Sequence, residues 1–248
     1  MGVGPSEATS EQAGPALTDA EVTSERLGPF SFLQLKNSHR LTSDTLLLAD
    51  FIPPLNVNDK LIDLGTSTGA IPLLLADRYK EVKLTGVEID KAVFELAERN
   101  VTSNNLTDRI TLYNKDWREL RSVYAEGSFT HVVSNPPYVK AGHGRVSPNI
   151  GRAIARSEQA GTLKELIDIS AYLAGEGGRI YYVFTASRYD EMLKALATHG
   201  LKPGRVCFVH TKKDETPQLF LIEAGQGLEL EVMEAVTLQA KFHDKFVL

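Results

Sequence analysis

From Lys60 onward, short apolar runs alternate with amphipathic stretches, and this alternation restricts the chain to very few architectures. Leu61–Leu64, Val82–Ile89, Ile110–Asn114, His131–Ser134, Arg179–Phe184, Arg205–His210 and Gln218–Glu223 read as strands. Ile71–Arg78, Ala92–Ser103, Thr162–Leu173 and Tyr189–Thr198 carry apolar residues at helical spacing. Strand–helix–strand order with short connections predicts a parallel, doubly wound α/β sheet. The last two strands are joined only by Thr211–Pro217, too short for a helical crossover, so they should pair antiparallel. The expected fold is Rossmann-like: seven strands, mostly parallel, ending in a C-terminal antiparallel hairpin at one sheet edge.

Residues 1–28 are rich in Gly, Ser, Thr, Ala, Glu and Pro, with few large apolar side chains. Such a segment buries too little surface to offset its ordering entropy, so it reads as an acidic, disordered tail before one domain over 29–248. The net charge of −5 taken alone disfavours a nucleic-acid partner, but five of the 32 acidic residues lie within 1–25, where there is no Lys or Arg. The 27 that remain balance the 27 basic residues. A neutral body still permits a basic face. The single cysteine, Cys207, allows no internal disulfide and points to a reducing, cytoplasmic setting. The six histidines include no close pair at helical spacing, so no metal is expected. No run approaches ~18 apolar residues and no secretory pattern opens the chain, so neither a membrane span nor export is expected.

Asp63-Leu64-Gly65-Thr66-Ser67-Thr68-Gly69-Ala70 sits where the first strand turns into a helix. Small residues there let the backbone approach a ligand, and a helix N-terminus favours a carboxylate or phosphate. Glu88 ends the second strand, where a carboxylate can accept from two ribose hydroxyls at once. Either motif alone often serves packing. Together they predict a nucleoside-containing cofactor held by Asp63, Gly65, Thr66, Gly69 and Glu88. The turn lacks the run G-x-x-x-x-G-K-[ST] of P-loop NTPases. Ser67 stands where a dinucleotide's pyrophosphate needs glycine, which favours S-adenosyl-L-methionine over NAD. After the third strand, Asp116 can accept from an adenine amino group and Trp117 can cover the base; the competing readings are an N-cap and a packing ring.

Asn135-Pro136-Pro137-Tyr138 directly follows the fourth strand. Two prolines stiffen the chain and remove backbone donors. The Asn135 side-chain oxygen and the Pro136 carbonyl can then accept both N–H bonds of one planar amino group and orient its lone pair toward an electrophilic methyl. Tyr138 offers a face for stacking. These features assign catalysis to Asn135, Pro136 and Tyr138, with Asn135 also facing the cofactor. Residues 127–157 contain no Asp or Glu but carry Lys140, Arg145, Arg152 and Arg156, a cationic stretch that reads as an RNA phosphate surface beside Pro137. Its bland alternative is a solvated loop. Lys212 and Lys213, in the terminal hairpin loop, can extend the same patch, although lysines are commonplace at hairpin tips.

With these motifs the chain resembles the class I S-adenosylmethionine-dependent N-methyltransferases bearing N-P-P-[YFW]. More narrowly, it is similar to the tRNA1(Val) (adenine(37)-N6)-methyltransferases. The resemblance rests on Leu41–Ala49, Leu64–Leu75, Gly86–Ile89, Asn135–Tyr138, Ser147–Asn149, Ala153–Glu158 and the ending from Phe208 to Ala224. It implies that Asp44 and its neighbours help close the cofactor site and that Gly65 to Gly69 and Glu88 hold the cofactor. It further implies that Asp116 meets the adenine of the cofactor, that Asn135 to Tyr138 take the target base, and that the substrate is tRNA. Glutamine methyltransferases of release factors share the tetrapeptide but carry a larger helical N-terminal domain. Guanine-N2 ribosomal RNA methyltransferases and an inactive RNA-binding scaffold are the other rival readings.

Overall fold

The computed structural model describes residues 21–36, 41–137 and 161–238. A hairpin opens the described chain: β1 (Val22–Leu27) pairs antiparallel with β2 (Phe30–Leu35). There follow α1 (Ser43–Phe51), β3 (Lys60–Leu64), α2 (Ala70–Arg78), β4 (Lys83–Glu88), α3 (Lys91–Ser103) and β5 (Ile110–Asn114). A 3-10 turn (Trp117–Ser122) leads to β6 (His131–Ser134), then α4 (Leu163–Ala174), β7 (Arg179–Thr185) and α5 (Tyr189–Ala197). The chain ends in β8 (Lys202–His210), β9 (Leu219–Gly225), β10 (Glu231–Val232) and β11 (Val236–Thr237).

The main sheet runs β10-β8-β9-β7-β6-β3-β4-β5, with β11 also on β8. Strands β5, β4, β3, β6 and β7 are mutually parallel, and β9 lies antiparallel between β7 and β8. The expected doubly wound sheet and its antiparallel hairpin are present. Among the described residues the main sheet has nine strands rather than seven, because β10 and β11 add two residues each, parallel to β8. Pieces so short leave no periodic signal in sequence.

Side chains alternate across the sheet with the two-residue period of a strand. Leu61, Val133, Tyr181, Val183 and Leu221 face one core with Leu47, Leu48 and Phe51 of α1 and Leu73 of α2. Ile62, Leu64, Val132, Ile180, Tyr182 and Ile222 face the other, with Leu166, Ile167 and Leu173 of α4 and Met192 and Leu196 of α5. Local sequence sets the helix starts. The Asp90 side chain accepts from Ala92 N and Val93 N to begin α3, and Thr162 with Glu165 forms a reciprocal capping box on α4.

Residues 21–28, expected in the tail, instead form β1 and its turn. The hairpin is fastened by two asparagines about one turn apart, Asn100 on α3 and Asn104 at its C-cap. Asn100 Oδ1 accepts from Leu33 N at 2.7 Å while its Nδ2 donates to Leu33 O at 2.9 Å; Asn104 does the same with Ser31 at 3.0 and 2.7 Å. Four residues of helix rise about 6 Å and two residues of strand about 6.7 Å, so the two asparagines stand in for a neighbouring strand. Residues 1–20 lie outside the described residues. Among those described, no helix is long and apolar enough to cross a membrane, and no group of three or more His, Cys, Asp or Glu is placed to hold a metal.

Candidate active site

The sheet reverses its winding between β3 and β6: β4 and β5 extend one way and β6 and β7 the other. The carboxyl ends at such a switch point form the crevice where open α/β sheets take ligands. The turn after β3, Glu88 at the end of β4 and Asn135 after β6 all stand there. The Ser134 hydroxyl donates to Leu64 O at 2.7 Å in the buried interior, tying the two loop origins together.

The turn 65–69 is folded down onto β4. Gly65 N and Thr66 N both donate to Val87 O at 2.9 Å, and Ser67 N donates to Glu88 Oε2 at 2.9 Å. Two residues make this close approach possible. Ser67 holds φ at 53°, the left-handed region a glycine would enter freely. Gly86 has no side chain where a Cβ would lie 2.7 Å from Leu112 Cδ2 and 2.9 Å from Thr66 Cγ2. The Nδ2 of buried Asn100 also donates to Thr68 O at 2.9 Å, which joins the turn to the N-terminal hairpin.

Three buried polar atoms beside this turn lack hydrogen-bond partners: both carboxylate oxygens of Asp63, which is 1% exposed, and the Thr66 hydroxyl. Burial pushes the Asp63 carboxyl up to about 7; the adjacent Thr66 hydroxyl opposes the shift without making a full hydrogen bond, and the Glu88 charge adds to it. Glu88 is also raised by burial, and the N–H groups of Asp90 and Ser67 counteract this. Its Oε1 accepts from Asp90 N at 2.9 Å, so each oxygen takes a backbone donor and the carboxylate keeps acceptor capacity for ribose hydroxyls. Orphaned acceptors and a ribose-ready carboxylate around a tight turn fit S-adenosyl-L-methionine.

Asp116 turns out to be an N-cap. It accepts from Arg118 N at 2.9 Å and pairs with the Arg118 guanidinium at 2.5 Å. Burial alone would raise its carboxyl, but these hydrogen bonds hold it below the usual range. An adenine amino group there would share the carboxylate with Arg118. Trp117, expected over a base, is buried in the second core with Leu120 because both face the sheet from the 3-10 turn. Asp44 lies in the first turn of α1, where its charge complements the helix dipole and the Ser43 hydroxyl donates to Oδ1 at 3.1 Å.

The N-terminus of α1 reaches Asn135, whose Nδ2 donates to Thr45 Oγ1 at 3.1 Å. Asn135 and Pro136 are half-buried and Pro137 is exposed. Tyr138, Lys140, Arg145, Arg152 and Arg156 lie outside the described residues. Because β8 runs parallel to β7, the loop 211–217 rises on the same side as these strand ends, and Lys212 there pairs with Glu215 at 3.6 Å. Thr45, Thr68 and Asn100 were not foreseen. Thr45 lay inside a motif already singled out, whereas Asn100 gave no signal beyond being a polar residue on the buried side of a helix.

The family model described as Methyltransferase small domain matches residues 37–165 of this 248-residue chain. The chain belongs to that family. This methyltransferase is 30% identical over 190 residues to the tRNA1(Val) (adenine(37)-N6)-methyltransferase of Porphyromonas gingivalis (strain ATCC 33277), covering 74% of this chain and 73% of the relative. It is 29% identical over 227 residues to the protein of that name from Pasteurella multocida, covering 88% and 93%. Among solved structures, it matches a predicted O-methyltransferase from Agrobacterium tumefaciens at TM-score 0.60 and 19% identity, over 79% of this chain and 86% of that one. It matches geranyl diphosphate C-methyltransferase from Streptomyces coelicolor, solved with S-adenosyl-L-homocysteine, at TM-score 0.54 and 16% identity, over 73% and 78%. The fold is that of a class I methyltransferase.

Proposed function

We propose that this methyltransferase acts on the exocyclic N6 of an adenine in tRNA, at position 37 beside the anticodon, in the cytoplasm. One observation carries the chemistry: Asn135 and Pro136 leave β6 at the switch point, directly beside the strand that bears Asp63 and the cofactor turn. The curated relatives named above support the choice of adenine and of tRNA.

The cofactor supplies an electrophilic methyl group on a sulfonium. The chain supplies everything else. Glu88 takes the ribose, and the polar groups of Asp63 and Thr66 meet the remaining polar atoms at the turn. Asn135 Oδ1 and the Pro136 carbonyl accept the two N–H bonds of the target amino group, whose lone pair is otherwise delocalised into the purine ring. Both bonds strengthen as positive charge builds on that nitrogen, so they act mainly on the transition state. No base is required before transfer, because the product nitrogen is acidic and loses its proton afterwards. The target base must leave its stack first; Tyr138 provides the stacking face and Lys140, Arg145, Arg152 and Arg156 the phosphate contacts.

The test is incubation of a tRNA transcript with S-adenosyl-L-methionine, followed by mass spectrometry of the digested nucleosides. N6-methyladenosine confined to position 37 is the expected product, and N2-methylguanosine instead would overturn the assignment. Asn135→Ala should lower kcat by about 100-fold, on the scale of losing one preorganised electrostatic partner, with S-adenosyl-L-homocysteine binding unchanged. Turnover near that of the wild type in this variant would remove Asn135 from the chemistry.

A further inference from the structure

The side chain of Asn135 is anchored from a remote part of the chain. Its Nδ2 donates to Thr45 Oγ1 at 3.1 Å, and the two residues are 90 positions apart. Thr45 Oγ1 in turn lies 3.4 Å from the hydroxyl of Thr42, the N-cap of α1, whose side chain caps no backbone N–H of the helix. The two threonines of this small chain of polar groups, Thr42 and Thr45, stand at the N-cap and in the first turn of α1, which is fixed against the sheet by buried Leu47, Leu48 and Phe51.

An asparagine amide has nearly the same shape when rotated by 180°, but the rotation exchanges an acceptor for a donor. Only the acceptor end serves an amino nucleophile. The rotated amide would set its own N–H groups against those of the substrate, removing the attraction that grows in the transition state. The orientation is therefore decided at the opposite end of the amide, where Thr45 stands. With its proton given to Thr42 Oγ1, the Thr45 hydroxyl meets Asn135 with lone pairs, and lone pairs accept Nδ2 but repel Oδ1.

We propose that Thr45 is a positioning residue that fixes the rotamer of the Asn135 amide, with Thr42 fixing the direction of the Thr45 hydroxyl. The inference rests on the reading of Asn135 as the acceptor for a target amino group. It extends the active site to α1, and it gives the segment around Asp44 a task besides closing the cofactor site.

Thr45→Val keeps the shape and removes the hydroxyl; Thr45→Ser restores the hydroxyl. With tRNA as substrate, Thr45→Val should lower kcat about tenfold while the tRNA KM and the Kd for S-adenosyl-L-homocysteine stay within about twofold. Thr45→Ser should recover kcat to within about threefold of the wild type. In the Asn135→Ala background, Thr45→Val should change kcat by less than about twofold, because the interaction it serves is already gone. An undiminished effect in that background, or no recovery in Thr45→Ser, overturns the proposal. A second readout needs no turnover: the side-chain amide resonances of Asn135 in the full-length 15N-labelled protein, assigned by their absence in Asn135→Ala. They should shift and lose exchange protection in Thr45→Val but not in Thr45→Ser, and unchanged resonances in Thr45→Val overturn the anchor. If the wild type fails to methylate adenine N6, the functional reading falls by itself and the resonances alone decide Thr45.

Discussion

Asp63 is held against its own chemistry. Its carboxyl is buried, neither oxygen has a hydrogen-bond partner, and its pKa is pushed up to about 7 by burial first, with the Glu88 charge adding and the Thr66 hydroxyl opposing. Below pH about 4 both folded and unfolded chains carry the proton, and stability is unaffected. Between about 4 and 7 the unfolded chain ionises while the folded one stays protonated, so each pH unit costs the fold about 1.4 kcal/mol; above about 7 the cost is complete and constant. Asp63→Asn removes this cost. Its stability gain over the wild type, read by urea denaturation, should be larger at pH 8 than at pH 5 by about 2–3 kcal/mol. A gain independent of pH would show that Asp63 does not titrate in this window. The same variant should bind S-adenosyl-L-homocysteine more weakly, since an acceptor is lost from the turn. The placement of Asp63, Glu88 and Asn135 at one end of the sheet was legible in sequence because each sits in a short motif at a strand end. Thr45 and Asn100 were not, because their partners lie 90 and 67 residues away and only the assembled fold brings them together.

Elements that bind their neighbours through side chains rather than through a ladder are the hardest to foresee. The β1–β2 hairpin alternates polar and apolar residues only weakly over Val22–Leu27, and its composition resembles that of the tail before it. It is held to α3 through Asn100 and Asn104 and to the first core through buried Leu27 and Phe32. Helix α1 was missed as a helix because its apolar residues run together from Leu46 to Ala49 instead of recurring every three or four positions; it is buried between α2 and the sheet. By contrast, α3, α4 and α5 and strands β3 to β7 show ordinary periods and were placed within one or two residues. The two asparagines divide the work unequally. Asn100 is 0% exposed and also holds Thr68 O in the cofactor turn, whereas Asn104 serves an exposed stretch. Asn100→Leu leaves the polar groups of Leu33 and Thr68 without this partner and should cost about 3 kcal/mol, while Asn104→Leu should cost about 1 kcal/mol or less. Hydrogen exchange at Leu33 and Thr66–Thr68 should quicken together in Asn100→Leu, since one side chain joins the two segments. Equal losses in the two variants, measured by denaturation, would mean that the link to the cofactor turn carries no weight.

For the whole molecule, the cofactor turn is the place where the sheet and the helices of the first core meet the hairpin, so a ligand there should stabilise the entire fold. The parallel winding and the antiparallel hairpin at its edge were legible because strand–helix–strand alternation with short crossovers leaves few alternatives; the two-residue additions at β8 were not, because they express the open edge of the finished sheet rather than any pattern of their own. A ligand that binds only the folded chain stabilises it by about 2.7 kcal/mol at one hundred times its Kd. For a domain of this size that corresponds to a rise in Tm of about 5–10 °C. S-adenosyl-L-homocysteine should produce such a rise in the wild type, followed by differential scanning fluorimetry. Glu88→Ala loses charge-assisted hydrogen bonds to the ribose, about 2–3 kcal/mol of binding. At the same ligand concentration its rise should therefore shrink to about 1–3 °C. The comparison is made from each variant's own ligand-free Tm, because Glu88 also holds the N–H groups of Ser67 and Asp90, and removing it lowers the starting stability. Under the proposed function Asn135 acts on the target amino group rather than holding the cofactor it was also expected to face, so Asn135→Ala should keep the full rise. A full rise in Glu88→Ala would take the ribose away from Glu88. A lost rise in Asn135→Ala would move Asn135 from the chemistry of transfer to the binding of the cofactor.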